Sequence, residues 1–446
     1  MKHFRMRCIV FCSVVLTFLP VCEGLFAQKT TYLPIDSLFS LAERNSKQLS
    51  ISRRKMLVSR FNTDIAKEKQ LPSIDADATL GYISNAAIWN NHFDYQSTLK
   101  MPHVMNNYSV AAGMDIFHGK SIRNNIAKAS LEEEVSALDY QKDKEDVQFL
   151  LLSKYLDLAT LYNQDRVYKQ NIELAKRRLT DIEKLNKQGM VTHNDIVRSK
   201  LQLTELQLQL TEIDNSIDIT SNELATVVGL DSTQWIRVDT TLFAKKYDNH
   251  SLLELMDSSK YKVPELEAAD TKLKIADKDI ALSKAERAPV VSLYAEDLLN
   301  RPFLYTLEPL DIYWHYFTGG IKLHYNLSSL YTAKKHIDKA KTGYQIASEQ
   351  KDWLQQKSDM TIHAAYVKWQ EAKDKYKTEQ ESFLLAKDNY RVVDQKYLNQ
   401  LSVLTDMLDA STALLNSQLN LANAQVGEIY QWYYLKKVSG DWDSIK

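Results

Sequence analysis

The sequence predicts a mainly α chain with a β portion: long antiparallel helical hairpins, two pairs of amphipathic strands, and an internal tandem duplication of the whole plan. Three observations predict it. No proline lies between Pro102 and Pro264 or after Pro309, so two runs continue far beyond the ordinary helix of about 11 residues. The hydrophobic period is two in four short stretches and close to 3.5 in the long runs. Leu71-Pro72 has its counterpart in Ala288-Pro289, 217 positions on, with the same order of elements behind each.

The N-terminus carries Lys2, Arg5 and Arg7, then an apolar run from Cys8 to Leu19, then Leu25-Phe-Ala27. That pattern predicts a secretory signal peptide over residues 1–27, because the run is too short to span a bilayer and ends in a small residue. All three cysteines (Cys8, Cys12, Cys22) fall within it, so the mature chain offers no thiol for catalysis, disulfides or metal. A lipoprotein reading with Cys22 acylated competes, and Pro20-Val21 stands against it where small residues are wanted. The net charge is −1, and −3 without residues 1–27, too little positive charge to suggest nucleic acid. No later apolar run reaches about 20 residues, so a membrane-spanning part must be a β-barrel.

The first repeat is read over residues 28–230. A helix is expected at 34–70, where Leu38, Leu41, Leu49 and Leu57 recur among charges. Strands follow at about 71–84 and 107–118, separated by a polar, asparagine-rich loop. In the first strand Ile74, Ala76, Ala78, Leu80 and Tyr82 point one way, and Asp75, Asp77 and Thr79 the other. A helical hairpin is expected over about 121–229, turning at Gly189, with Thr192 or Asn194 as N-cap of its second arm. Leu203, Leu206, Leu210, Ile213 and Ile217 give that arm a coiled-coil seam. Residues 231–250 read as an irregular connector.

The second repeat, 251–440, runs through the same programme. A helix at 251–287 precedes strands at about 288–299 and 313–327, then a hairpin over about 328–438. Its turn holds Tyr397-Leu-Asn-Gln-Leu-Ser402, followed by Asp406 and Asp409. Three residues apart in a helix, those two carboxylates share one face. If several copies stood about an axis with that face inward, they would form a ring of carboxylates at the tip of a helical tube.

Four strands per chain cannot close a membrane barrel, for which about eight is the minimum. An open sheet in lipid leaves unpaired backbone at both edges, costing several kcal/mol per group, so oligomerisation is required. Tyr82, Trp89, Tyr108, Tyr313, Trp314 and Tyr325 crowd the strand ends as interfacial girdles do.

At this point the chain resembles the TolC-like outer-membrane factors, the outer membrane efflux protein family. The resemblance rests on Leu71-Pro72-Ser73-Ile74, on Gly189-Met-Val-Thr-His-Asn-Asp195 with Ser199-Lys-Leu201, on Val263-Pro264-Glu265-Leu266, and on Asp406-Met-Leu-Asp-Ala410 with Leu414 and Leu421. It covers about residues 30–440. It implies a homotrimer with a 12-stranded barrel among outer-membrane lipid and a periplasmic helical tunnel. The implied function is the exit duct of a tripartite efflux pump or type I secretion system. The implied partners are a periplasmic adaptor (membrane fusion protein) and an inner-membrane pump. By resemblance Asp406 and Asp409 line the tunnel constriction, while Asp195 and Tyr397 bond across the two turns as a latch. The structural alternatives are that the acids complement a helix dipole and that the tyrosine packs. Asn399-Gln400 stands where the family usually has glycine, and Ser402 where some members place an arginine.

Catalysis finds no support: the ten histidines form no zinc-binding spacing, and there is no phosphate loop or nucleophile elbow. No enzyme activity, cofactor or metal is expected. The rival reading is a periplasmic coiled-coil adaptor or scaffold without a barrel.

Overall fold

The structure is a computed structural model and describes residues 30–231, 235–239, 251–306 and 308–442. The expected signal peptide and most of the connector lie outside these.

The chain starts with β1 (Thr30–Tyr32), α1 (Ile35–Asn45) and α2 (Lys47–Glu68). The expected single helix at 34–70 is therefore two, because Ser46 takes an extended conformation and its side chain accepts from Leu49 N–H as the N-cap of α2. β2 (Ser73–Tyr82) follows, then a hairpin of β3 (Ala86–Trp89) and β4 (Tyr95–Leu99), then β5 (Val104–His118). The hairpin corrects the expectation of a plain loop. Its turn is built by Asn90, whose side-chain oxygen accepts from His92 and Asp94 N–H, and Trp89 meets Tyr95 edge-on.

α3 (Ser121–Lys187) and α4 (His193–Val228) form the first long hairpin. At 67 residues, α3 is about 100 Å long. β6 (Trp235–Arg237) then pairs in parallel with β1, so the connector is not wholly irregular. The second half begins with α5 (Leu252–Lys262) and α6 (Pro264–Ala285), split by Pro264 at the first position of α6 where its missing N–H costs nothing. β7 (Val290–Arg301), β8 (Trp314–His324), α7 (Ser329–Leu398) and α8 (Leu404–Val438) complete the repeat.

The two halves share one antiparallel sheet in the order β2-β5-β7-β8. Its register carries one apolar face through Ile74, Ala112, Ala295 and Gly319, and through Ala78, Tyr108 and Leu299. The face is bare: Leu80 is 73% and Ile321 70% exposed. β2 and β8 are both unpaired on their outer sides. Strands of 10 to 15 residues have the length a tilted membrane strand needs. Among the described residues no helix is long and apolar enough to cross a membrane.

The main core lies midway along the helices, where α1, α3, α4, α7 and α8 bury Leu38, Leu151, Leu152, Tyr155, Trp369 and Tyr433. A smaller cluster of Ile182, Tyr397, Leu404 and Met407 closes the far end of the hairpins.

Candidate functional site

The helical tip is built from two turns with the same backbone. Met190 N–H donates to Leu185 C=O at 3.0 Å, and Leu401 N–H to Lys396 C=O at 2.8 Å, closing both helices by equivalent six-residue loops. Such a loop needs one left-handed residue. In the first turn it is Gly189, at φ 75°; in the second it is Gln400, at φ 62°. The amide that replaces the usual glycine also reaches across the tip, where Gln400 Nε2 lies 3.0 Å from Met190 Sδ.

Thr192 is the N-cap of α4 and completes a capping box with Asp195. Asp195 N–H donates to Thr192 Oγ1, while Thr192 N–H and Oγ1 both donate to Asp195 Oδ2 at 2.8 Å. In α8 the N-cap Val403 offers no side-chain oxygen, and Ser402 Oγ instead donates to Asp406 Oδ2 at 2.9 Å. Asp406 and Asp409 are exposed, whereas Leu404, Met407 and Ala410 are buried against the bundle. The helical period thus sets the carboxylates on the side of α8 turned away from its packing.

The latch suggested for Tyr397 is not made in this structure. Its side chain is buried in the tip cluster, and its hydroxyl has no hydrogen-bond partner. The carboxylate of Asp195 is held by Thr192 instead. Burial pushes the Tyr397 hydroxyl above its ordinary pKa and the nearby Asp195 charge adds to this, with Arg178 opposing. Ser402 bonds within its own turn. The two halves meet at the surface through Arg198 Nη1, which donates to Thr405 Oγ1 at 3.1 Å.

The residue that sequence reasoning missed is Arg178. It is 8% exposed, on α3, and reaches all three other long helices. Nη1 donates to Gln202 Oε1 on α4 at 3.0 Å; Nη2 donates to Ser411 Oγ on α8 at 2.9 Å and to Tyr390 Oη on α7 at 3.4 Å. The signal was available: Ala175, Arg178 and Ile182 share one buried stripe, so the arginine stands at a seam position. Asp394 lies nearby, where burial raises its carboxyl above the usual range and Arg178 opposes that rise.

Long helical hairpins ending in exposed carboxylates, joined to a sheet of membrane dimensions with a bare apolar face, are the parts of an outer-membrane channel with a periplasmic helical portion. Residues 38–230 match the model of the outer membrane efflux protein family, and the chain has the TolC-like fold. It is 22% identical over 405 residues to the pyoverdine export outer membrane protein OpmQ of Pseudomonas putida, covering 85% of this chain and 84% of that one. Among solved structures it is similar to VceC of Vibrio cholerae, with TM-score 0.75 and 16% identity, over 91% of this chain and 96% of that one. It is also similar to the open state of MtrE of Neisseria gonorrhoeae, with TM-score 0.66 and 19% identity, over 92% and 89%. Those structures show the same fold, with helical tunnel and barrel. Channels of this family are passive conduits, so the protein is not an enzyme, and the reading as a barrel-free adaptor is set aside.

Proposed function

We propose that the protein is a homotrimeric exit duct serving a tripartite efflux pump or type I secretion system. In this reading three four-stranded sheets close one 12-stranded barrel, and the tip docks to a periplasmic adaptor and inner-membrane pump. The observation that carries it is the sheet itself: its apolar face is bare and both edges are open, which lipid tolerates only if neighbouring copies pair β8 with β2. A second unpartnered feature supports the assembly. Ile346, Trp353, Met360 and Val367 recur every seventh residue on α7, all exposed, as a seam awaiting another helix.

Within that trimer Asp406 and Asp409 supply six carboxylates around the axis at the narrow end, a cation-attracting ring. Opening is an iris-like shift of the hairpins that widens the ring. In such a shift the hydroxyl of Tyr397 has only to exchange its present lack of a partner for Asp195 to close the tip. Energy comes from the inner-membrane partner, since the duct carries no chemistry of its own.

The test is membrane fractionation followed by the native mass of the detergent-extracted protein. Three mature chains from the outer-membrane fraction agree with the duct. A soluble monomer or dimer overturns it.

A further inference from the structure

We propose that the inner rim of the sheet is a cationic collar that binds the headgroups of anionic phospholipids in the periplasmic leaflet of the membrane. The inference rests on the sheet standing in the membrane as proposed above.

Four helix ends meet the sheet at one end: the C-termini of α2 and α6 and the N-termini of α3 and α7. Within about eleven residues of the strands (62–72, 119–129, 278–289 and 326–336) they hold ten lysines and arginines against four carboxylates. Three of those carboxylates are already matched: Asp64 by Lys67 at 3.0 Å, Asp279 by Lys128 at 2.6 Å, and Glu286 by His336 at 2.6 Å. Among the described residues eight cations in these segments, including Lys120, Arg123, Arg287, Lys334 and Lys335, have no carboxylate partner. Glu68 is the one acid left over.

The opposite end of the sheet serves as an internal control. There, outside the four strands (83–103 and 302–313), Lys100 is the one lysine or arginine among the described residues, against Asp94, Glu308 and Asp311; Arg301, the last residue of β7, is taken by Asp311 at 2.7 Å. Charge surplus is therefore a property of one rim and not of barrel ends in general.

Position identifies the ligand. Leu71, Phe117, Leu327, Leu330 and Tyr331 are exposed at the same rim and mark where the apolar face ends. Lys120, Arg123, Lys334 and Lys335 follow within one or two helical turns, which places them at headgroup depth, within about a Debye length of the surface. Lysine and arginine stems lie along such an apolar edge and present their charge to phosphate. A soluble anion has no reason to prefer a rim bordered by exposed leucine and tyrosine; a phospholipid does.

The experiment uses full-length protein in detergent, given equal amounts of phosphatidylglycerol and phosphatidylethanolamine with identical acyl chains, and counts retained lipids by native mass spectrometry. The expected result is a phosphatidylglycerol preference of about fivefold or more, the scale set by one cation at an anionic surface. It should fall to near unity in the variant Lys120→Gln/Arg123→Gln/Lys334→Gln/Lys335→Gln. Lys100→Gln, at the other rim, should leave it unchanged. If the fourfold variant does not fold, the pairs Lys120→Gln/Arg123→Gln and Lys334→Gln/Lys335→Gln are each expected to remove part of the preference. Equal retention by the unmodified protein, or an undiminished preference in the variants, overturns the collar. So does loss of the preference on adding inorganic phosphate at about 10 mM, which would mark a site for any small anion. Failure to associate with either lipid overturns the membrane barrel itself.

Discussion

Arg178 Nη2 donates to Ser411 Oγ at 2.9 Å, and one heptad nearer the sheet Asn171 Nδ2 donates to Gln418 Oε1 at the same distance. Seven residues separate the two donors on α3, and seven separate the two acceptors on antiparallel α8. The halves of the duplication are thus held in register by two polar layers within the seam, the device by which a polar seam residue fixes alignment at some cost in stability. One-residue sliding of α8 would break both bonds at once.

Arg178→Met keeps the stem and removes the guanidinium, leaving Ser411, Gln202 and Tyr390 without their donor. The expected loss is about 2 kcal/mol of local stability at the tip. Amide hydrogen exchange reports it directly: protection should fall in residues 170–200 and 390–415 while the central core is unchanged.

The left-handed Gln400 carries a strain that glycine does not, so Gln400→Gly should stabilise the second turn by roughly 1 kcal/mol. Gly189→Ala should cost the first turn a similar amount, although open space surrounds the site, because φ is positive there. Thermal unfolding of both variants checks the pair of opposite signs.

Tyr397→Phe removes a buried hydroxyl that bonds to nothing. It should leave folding stability unchanged or raise it by up to about 1 kcal/mol, whereas a hydroxyl already latched to Asp195 would make the same change destabilising. Chemical unfolding distinguishes the two outcomes.

Asp394 gives the tip a pH dependence of defined sign. Its carboxyl is raised in the folded chain by burial, so between the ordinary carboxylate value near 4 and its folded value the native state binds more protons than the unfolded one. Its contribution to stability is therefore lost as pH rises through that window and regained on acidification. Asp394→Asn should flatten this part of the profile in melting curves taken between about pH 4 and 7.

The duplicated plan was legible because its signals are repetitive: Leu71-Pro72 and Ala288-Pro289 end helices, and strand alternation is uninterrupted from Ile74 to Tyr82. The breaks at Ser46 and before Pro264 were harder to read, since the helical period continues on both sides of each. β3 is four apolar residues and β4 five mostly polar ones, too short for an alternation to show, so their hairpin is carried by the Asn90 turn. At the tip the acids could be placed on a face from spacing alone. Their partners could not, because the Thr192 capping box competes locally for Asp195, and only three-dimensional packing brings Arg178 to Ser411.

The most direct measurement is single-channel current through the full-length protein in planar bilayers, with cation over anion selectivity read from the reversal potential in a salt gradient. The expected result is discrete, cation-selective steps, with selectivity reduced in Asp406→Asn/Asp409→Asn. An absence of steps, or selectivity indifferent to both substitutions, would contradict a duct narrowed by a carboxylate ring.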